Sequence, residues 1–132
     1  MRCAPAPPEG AHLLLVEDDP ALRAVVVAIL TDAGYRTHGA PDGATALALL
    51  TGPDAPPVGA VLLDLRLPDM DGWEVARALR DSVRTRRIPV VALSALRSGG
   101  DHDALSADGF AGFLEKPIDV REFPGQVRSY CT

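Results

Sequence analysis

Short apolar runs recur along the chain, and each is broken off by polar residues before it reaches the length of a helix. His12-Leu13-Leu14-Leu15-Val16 ends in Glu17-Asp18-Asp19-Pro20, and Gly59 to Leu63 ends in Asp64. Ile88-Pro89-Val90-Val91-Ala92-Leu93 ends in Ser94, and Phe110 to Leu114 is followed by Glu115-Lys116-Pro117. Runs this short that do not alternate read as strands covered on both faces. Pro89 stands at the start of its strand, where a missing N–H is tolerated. Tyr35 to Gly39 is more polar and predicts a strand at a sheet edge.

A different period fills the gaps. Leu22, Val25, Val26, Ile29 and Leu30 fall at i, i+3, i+4, i+7 and i+8, one apolar helical stripe. Asp19 and Pro20 suit its start and Gly34 its end. Pro41-Asp42-Gly43 turns into a second helix, Ala44 to Leu50, and the proline-rich stretch Thr51 to Pro57 is a loop. Asp71 and Glu74 have capping-box spacing and open a third helix, from about Gly72 to Val83. Gly99-Gly100 leaves only Asp103 to about Ala107 for a short, mobile fourth helix. Val120, Phe123, Val127 and Tyr130 space a C-terminal helix that Pro124-Gly125 interrupts. The alternation of strand and helix predicts an α/β domain: a doubly wound, flavodoxin-like parallel sheet of five strands, order 2-1-3-4-5, with right-handed crossovers and helices on both faces.

Composition narrows the class. A chain of 132 residues, 47% hydrophobic and 23% charged, suits one globular domain, placed at 11–132 behind a flexible Pro-rich tail at 1–10. A net charge of −5 and a pI near 5.0 argue against direct nucleic-acid binding. The basic cluster Arg84, Arg86 and Arg87 is expected to face solvent after the third helix. The longest apolar stretch, Val25 to Leu30, is too short to span a bilayer, so no membrane partner is expected. Met1 to Gly10 lacks the apolar core of a secretory signal, and Cys3 and Cys131 make no disulfide framework, so a cytoplasmic location with reduced thiols is expected.

Candidate chemistry lies where the strands end. In a parallel sheet Glu17, Asp18, Asp64, Ser94 and Lys116 share one edge, the place where open α/β sheets bind ligands. Carboxylates gathered there repel; two unit charges about 4 Å apart cost roughly 4 kcal/mol at an effective dielectric near 20. An acidic, thiol-free site of oxygen donors suits Mg²⁺, which keeps waters that phosphate oxygens can replace. With that charge offset, Asp64 is the best candidate for a nucleophile toward phosphorus. Lys116 and Ser94 are placed to take phosphoryl oxygens.

The order and spacing of Glu17-Asp18, Asp64, Ser94 and Lys116-Pro117, with Leu67-Pro68-Asp69-Met70-Asp71-Gly72 after Asp64, closely resemble the receiver domain of bacterial two-component response regulators. The resemblance runs from about His12 to Tyr130. It implies a signalling domain rather than an enzyme, in which Asp64 accepts a phosphoryl group from a histidine kinase or phosphotransfer protein. Mg²⁺ would be held by Glu17, Asp18, Asp64 and the backbone carbonyl of Arg66, and the phosphoryl group by Ser94 and Lys116. Phe113 matches the aromatic that turns inward as the hydroxyl residue moves, Ala95 leaves room for the donor, and Lys116-Pro117 is expected to be cis. The reporting partner is an unknown output protein. The glycines and proline in the last two helices argue against the family's common mode of dimerisation. Two rivals stand beside this reading: a receiver-shaped binding module that works without phosphorylation, and a Mg²⁺-dependent phosphatase with an aspartate nucleophile. The phosphatase is disfavoured because Arg66 occupies the position where a second aspartate would act as general acid.

Of the remaining residues, Trp73 reads as a partly exposed packing residue, and Asp19, Asp69 and Asp71 as caps and turn acids. His12, His38 and His102 lack metal-ligand spacing and are assigned no role.

Overall fold

The computed structural model describes residues 12–53, 55–94 and 110–115, and of Ser94, Phe113 and Glu115 the backbone. The strands are β1 (His12–Val16), β2 (Arg36–Ala40), β3 (Val58–Asp64), β4 (Val90–Ser94) and β5 (Gly112–Glu115). They form one sheet in the order β2-β1-β3-β4-β5, and every neighbouring pair is parallel. The helices are α1 (Pro20–Asp32), α2 (Gly43–Thr51) and α3 (Gly72–Asp81). The expectations for residues 1–10, for the fourth and C-terminal helices, for Ala95 and for the Lys116-Pro117 bond lie outside the described residues. No described helix is long and apolar enough to cross a membrane.

The unbroken apolar runs are explained by two cores. Alternate residues of one strand point to opposite faces. Leu13 and Leu15, Ala60 and Leu62, and Val91 and Leu93 pack toward Val26 and Leu30 of α1. Their neighbours Leu14 and Val16, Val61 and Leu63, and Val90 and Ala92 pack toward Leu50 of α2 and Val75 and Leu79 of α3. Every residue of the central strands is thus wanted apolar until the strand leaves the sandwich, which is where the acids begin. β2 carries only one buried residue, Ala40, as suits an edge.

Each helix start is tied by an aspartate. Asp19 accepts from the N–H groups of Ala21 and Leu22, Asp42 from Thr45 and Asp71 from Glu74. α1 ends at the Ala33 cap, and Gly34 follows at φ 104°. Val25 departs from the expected stripe, being 51% exposed; the buried face runs through Val26 and Leu30, with Leu22, Ile29 and Ala33 packed beside it. α3 stops two residues short of Val83, which is 78% exposed. The buried Thr85 hydroxyl donates to the Leu79 carbonyl at 2.5 Å and so satisfies the end of the helix. Arg84, Arg86 and Arg87 are exposed as expected. β4 starts at Val90 rather than Ile88, and β5 at Gly112 rather than Phe110. Phe110 is instead buried and meets the half-buried Trp73 edge to face at 6.2 Å.

The histidines supply a contact that sequence spacing does not announce. His12 pairs with Arg36 and Leu14 with His38, so the two histidines form a diagonal pair across β1 and β2, offset by two residues. His12 Nδ1 and His38 Nε2 are 2.8 Å apart, the ring planes differ by 6° and the centroids are 5.1 Å apart. With the nitrogens that close and the centroids that far, the rings meet end to end as an N–H···N bond and do not overlap face to face. One ring must donate and the other accept.

Candidate functional site

Register assembles the site from backbone alone. Val16 lies opposite Leu63, so the next residues, Glu17 and Asp64, leave the sheet as neighbours. Asp64 pairs with Leu93 and Ser94 with Glu115, which brings the end of β4 and the end of β5 to the same edge. Glu17 and Asp64 are buried, at 1% and 6% exposure, whereas Asp18 is exposed. One carboxylate oxygen from each of the three residues lies within 4.8 Å of the other two.

The donor set fits a hard divalent cation. Around an octahedral Mg²⁺ with bonds of about 2.1 Å, oxygens are roughly 3 Å apart when adjacent and roughly 4.2 Å when opposite. A trio within 4.8 Å reaches those positions with small side-chain adjustments. The chemistry agrees, since all three donors are carboxylate oxygens. Glu17, Asp18 and Asp64 are the residues that would hold the ion.

Local structure fixes each acid. The Glu17 N–H donates to the Ala40 carbonyl of β2 at 3.0 Å, and its Oε2 accepts from the Asp19 N–H at 3.3 Å. Asp64 Oδ1 accepts from the Arg66 N–H at 3.0 Å, so the turn leaving β3 orients the carboxylate. Arg66 then forms an isolated bridge with Asp71. The start of α3 is pressed against this turn: the Gly72 N–H donates to the Leu65 carbonyl at 3.0 Å. A Cβ at Gly72 would come within 2.8 Å of both the Asp64 carbonyl oxygen and the Leu65 Cα, contacts that backbone atoms cannot relieve by rotating. Glycine therefore lets a helix begin directly beside the site strand.

Asp69 ties the same loop to the next helix. Its two oxygens accept from the Gly43 and Ala44 N–H groups at 3.0 and 2.9 Å, across the first turn of α2. Those backbone donors hold its carboxyl below the usual carboxylate range. Asp69 is expected to be a turn acid, but its partners lie about 25 residues away where no local signal reaches. Asp19 and Asp71 are the expected caps.

Of the residues expected at the site, Glu17, Asp18 and Asp64 come together. Arg66 lies against Asp64 through its N–H. Ser94 closes β4, and Phe113 lies in β5 opposite Ala92. Lys116 falls outside the described residues.

Residues 13–128 match the model of the response regulator receiver domain family. Response regulator PleD of Caulobacter vibrioides is 41% identical over 120 residues, which cover 91% of this chain and 26% of PleD. The chain thus spans about a quarter of that relative's length. Among solved structures, the chemotaxis response regulator CheY4 of Vibrio cholerae superposes with a TM-score of 0.84 at 27% identity, covering 92% of this chain and 98% of that one. The receiver domain of the sensor histidine kinase PA1611 of Pseudomonas aeruginosa PAO1 gives 0.78 at 32% identity, covering 92% and 97%; it has a magnesium ion coordinated in its active site cleft.

Proposed function

Because the chain belongs to the response regulator receiver family, we propose that it is a Mg²⁺-dependent switch operated by phosphorylation of Asp64. One observation carries the reading: three carboxylates from two strands converge within 4.8 Å at the carboxyl edge of the sheet, two of them buried. Burial of acids beside one another is costly and is retained where a cation repays it. The magnesium ion in the active site cleft of the PA1611 receiver supports a divalent cation at this edge of the sheet; its ligands here would be Glu17, Asp18 and Asp64, which come together, and the Arg66 carbonyl.

An oxygen of Asp64 forms a bond to phosphorus as the P–N bond to a donor histidine breaks. The departing imidazole nitrogen keeps the electron pair. Bound Mg²⁺ would neutralise charge on the phosphoryl oxygens and the acids. The Arg66 N–H holds the Asp64 carboxylate in one orientation, which is the positional part of the catalysis. Ser94, the last residue of β4, and Lys116, which follows Glu115 in the sequence, take the remaining phosphoryl oxygens, and Phe113 follows the movement of Ser94. The donor is a histidine kinase or phosphotransfer protein, and the phosphorylated form changes its affinity for an output protein in the cytoplasm.

A surface for the donor lies beside the site. Ala21, Ala24, Val25 and Ala28 are exposed and fall on one stripe of α1, the helix that follows the acids. An apolar patch at that place suits the helices of a phosphodonor protein.

Incubation with Mg²⁺ and a small phosphoramidate tests the chemistry. The expected product is an acid-stable, base-labile phosphoryl adduct seen by mass, absent in Asp64→Asn and absent when Mg²⁺ is chelated. An adduct that survives Asp64→Asn would end the reading.

A further inference from the structure

Glu17 and Asp18 are successive residues, and the peptide unit that joins them is held from outside the loop. The Glu17 carbonyl, which belongs to that unit, accepts from Arg23 Nη1 at 2.8 Å. Arg23 stands in the first turns of α1, where its own N–H donates to the Asp19 carbonyl at 2.9 Å. The preceding peptide is fixed by β2, through the Glu17 N–H to Ala40. Together these bonds set the direction in which the buried Glu17 and the exposed Asp18 leave the chain.

Arg23 reaches the carbonyl by lying across β2. At Gly39 an added Cβ would come 3.2 Å from Arg23 Cδ, 3.4 Å from Cγ and 3.8 Å from Nε. Alanine there would need Arg23 to yield by a few tenths of an ångström. A branched side chain would need the arginine to leave.

We propose that Arg23 is a positioning residue for the metal site, and that Gly39 is the gap through which it holds the Glu17–Asp18 peptide. The inference rests on Glu17, Asp18 and Asp64 binding Mg²⁺, as argued above. Groups that orient metal ligands typically cost roughly 10–100-fold in metal affinity when removed, and an arginine that is itself only half-buried belongs at the low end. Two physical effects of removing Arg23 oppose each other. Loss of a nearby positive charge strengthens binding of a cation, whereas loss of the hydrogen bond weakens it. The sign of the change therefore separates positioning from simple charge.

Mg²⁺ titration by calorimetry on the full chain decides it, with phosphoramidate labelling rates measured across Mg²⁺ concentrations. Arg23→Met is expected to weaken Mg²⁺ binding about tenfold while the labelling rate at saturating Mg²⁺ stays within about twofold of wild type. Gly39→Val alters no charge and improves strand propensity, so it is expected to weaken Mg²⁺ binding similarly with no fall in melting temperature. The double variant is expected to be no worse than either single one, because both break the same bond. Unchanged or tighter Mg²⁺ binding in Arg23→Met, or additive losses in the double variant, overturns the proposal alone. A wild-type chain that binds no Mg²⁺ overturns it together with the function it rests on.

Discussion

At Gly72 the helix-propensity rule and the structure make opposite demands. Replacing a glycine in a helix by alanine normally gains roughly 0.5–1 kcal/mol. Here the new Cβ would press within 2.8 Å of the Asp64 carbonyl and the Leu65 Cα. Both are backbone atoms of the segment that carries Asp64. Gly72→Ala is expected to destabilise the fold by about 1–3 kcal/mol in urea unfolding, the range for forced overpacking. It is also expected to slow phosphoramidate labelling by moving Asp64. A variant as stable as wild type would mean that α3 can shift away from β3 at little cost. Leu62 and Leu63 make the complementary point: adjacent and fully buried, they serve opposite cores, so truncation of either to alanine is expected to cost about 2–5 kcal/mol.

Pairs of elements carry the next two expectations. The His12–His38 bond joins β1 to the edge strand β2. Burial, and then the neighbouring His12 ring, hold His38 below the ordinary imidazole range. A histidine with a lowered folded value takes up its proton more readily when unfolded, so stability is lost as pH falls through about 6.5 toward the folded value. The loss of melting temperature between pH 7.5 and pH 5.5 is expected to shrink in His38→Leu; an unchanged slope would assign it to other groups. On α1, Val25→Asp is expected to slow phosphotransfer from a cognate kinase about tenfold yet leave phosphoramidate labelling intact, since it alters the exposed stripe and no site residue. The same elements show what a sequence can and cannot disclose. The apolar runs of β1, β3 and β4 and the acids that end them were legible because burial on both faces demands continuous apolar residues and releases that demand at the sheet edge. The convergence of Glu17, Asp18 and Asp64 is therefore legible from the strand ends. Val25 departs from the predicted stripe because i, i+3, i+4 spacing locates a face only to about one residue. The His12–His38 bond, Asp69 across α2 and Arg23 over Gly39 were not legible, because each depends on register or on a crossover.

For the molecule as a whole, a cation held by the acid trio would make folding and cation binding one equilibrium. Without a cation, the folded state must keep three carboxylates within 4.8 Å of one another, whereas unfolding lets them separate. A ligand that binds only the folded form adds RT ln(1 + [L]/Kd), about 2.7 kcal/mol at a hundredfold excess over Kd. For a domain of this size that corresponds to a rise in melting temperature of roughly 10 °C. Mg²⁺ is therefore expected to raise the melting temperature measured by calorimetry in proportion to the logarithm of its concentration above Kd, and chelation to reverse the rise. Asp18→Asn tests the link best because Asp18 is exposed and its removal leaves both cores untouched. In that variant the Mg²⁺-dependent rise is expected to fall sharply while the melting temperature without Mg²⁺ stays the same or increases, since one charge has left the cluster. A full Mg²⁺ response in Asp18→Asn would place the cation elsewhere on the protein.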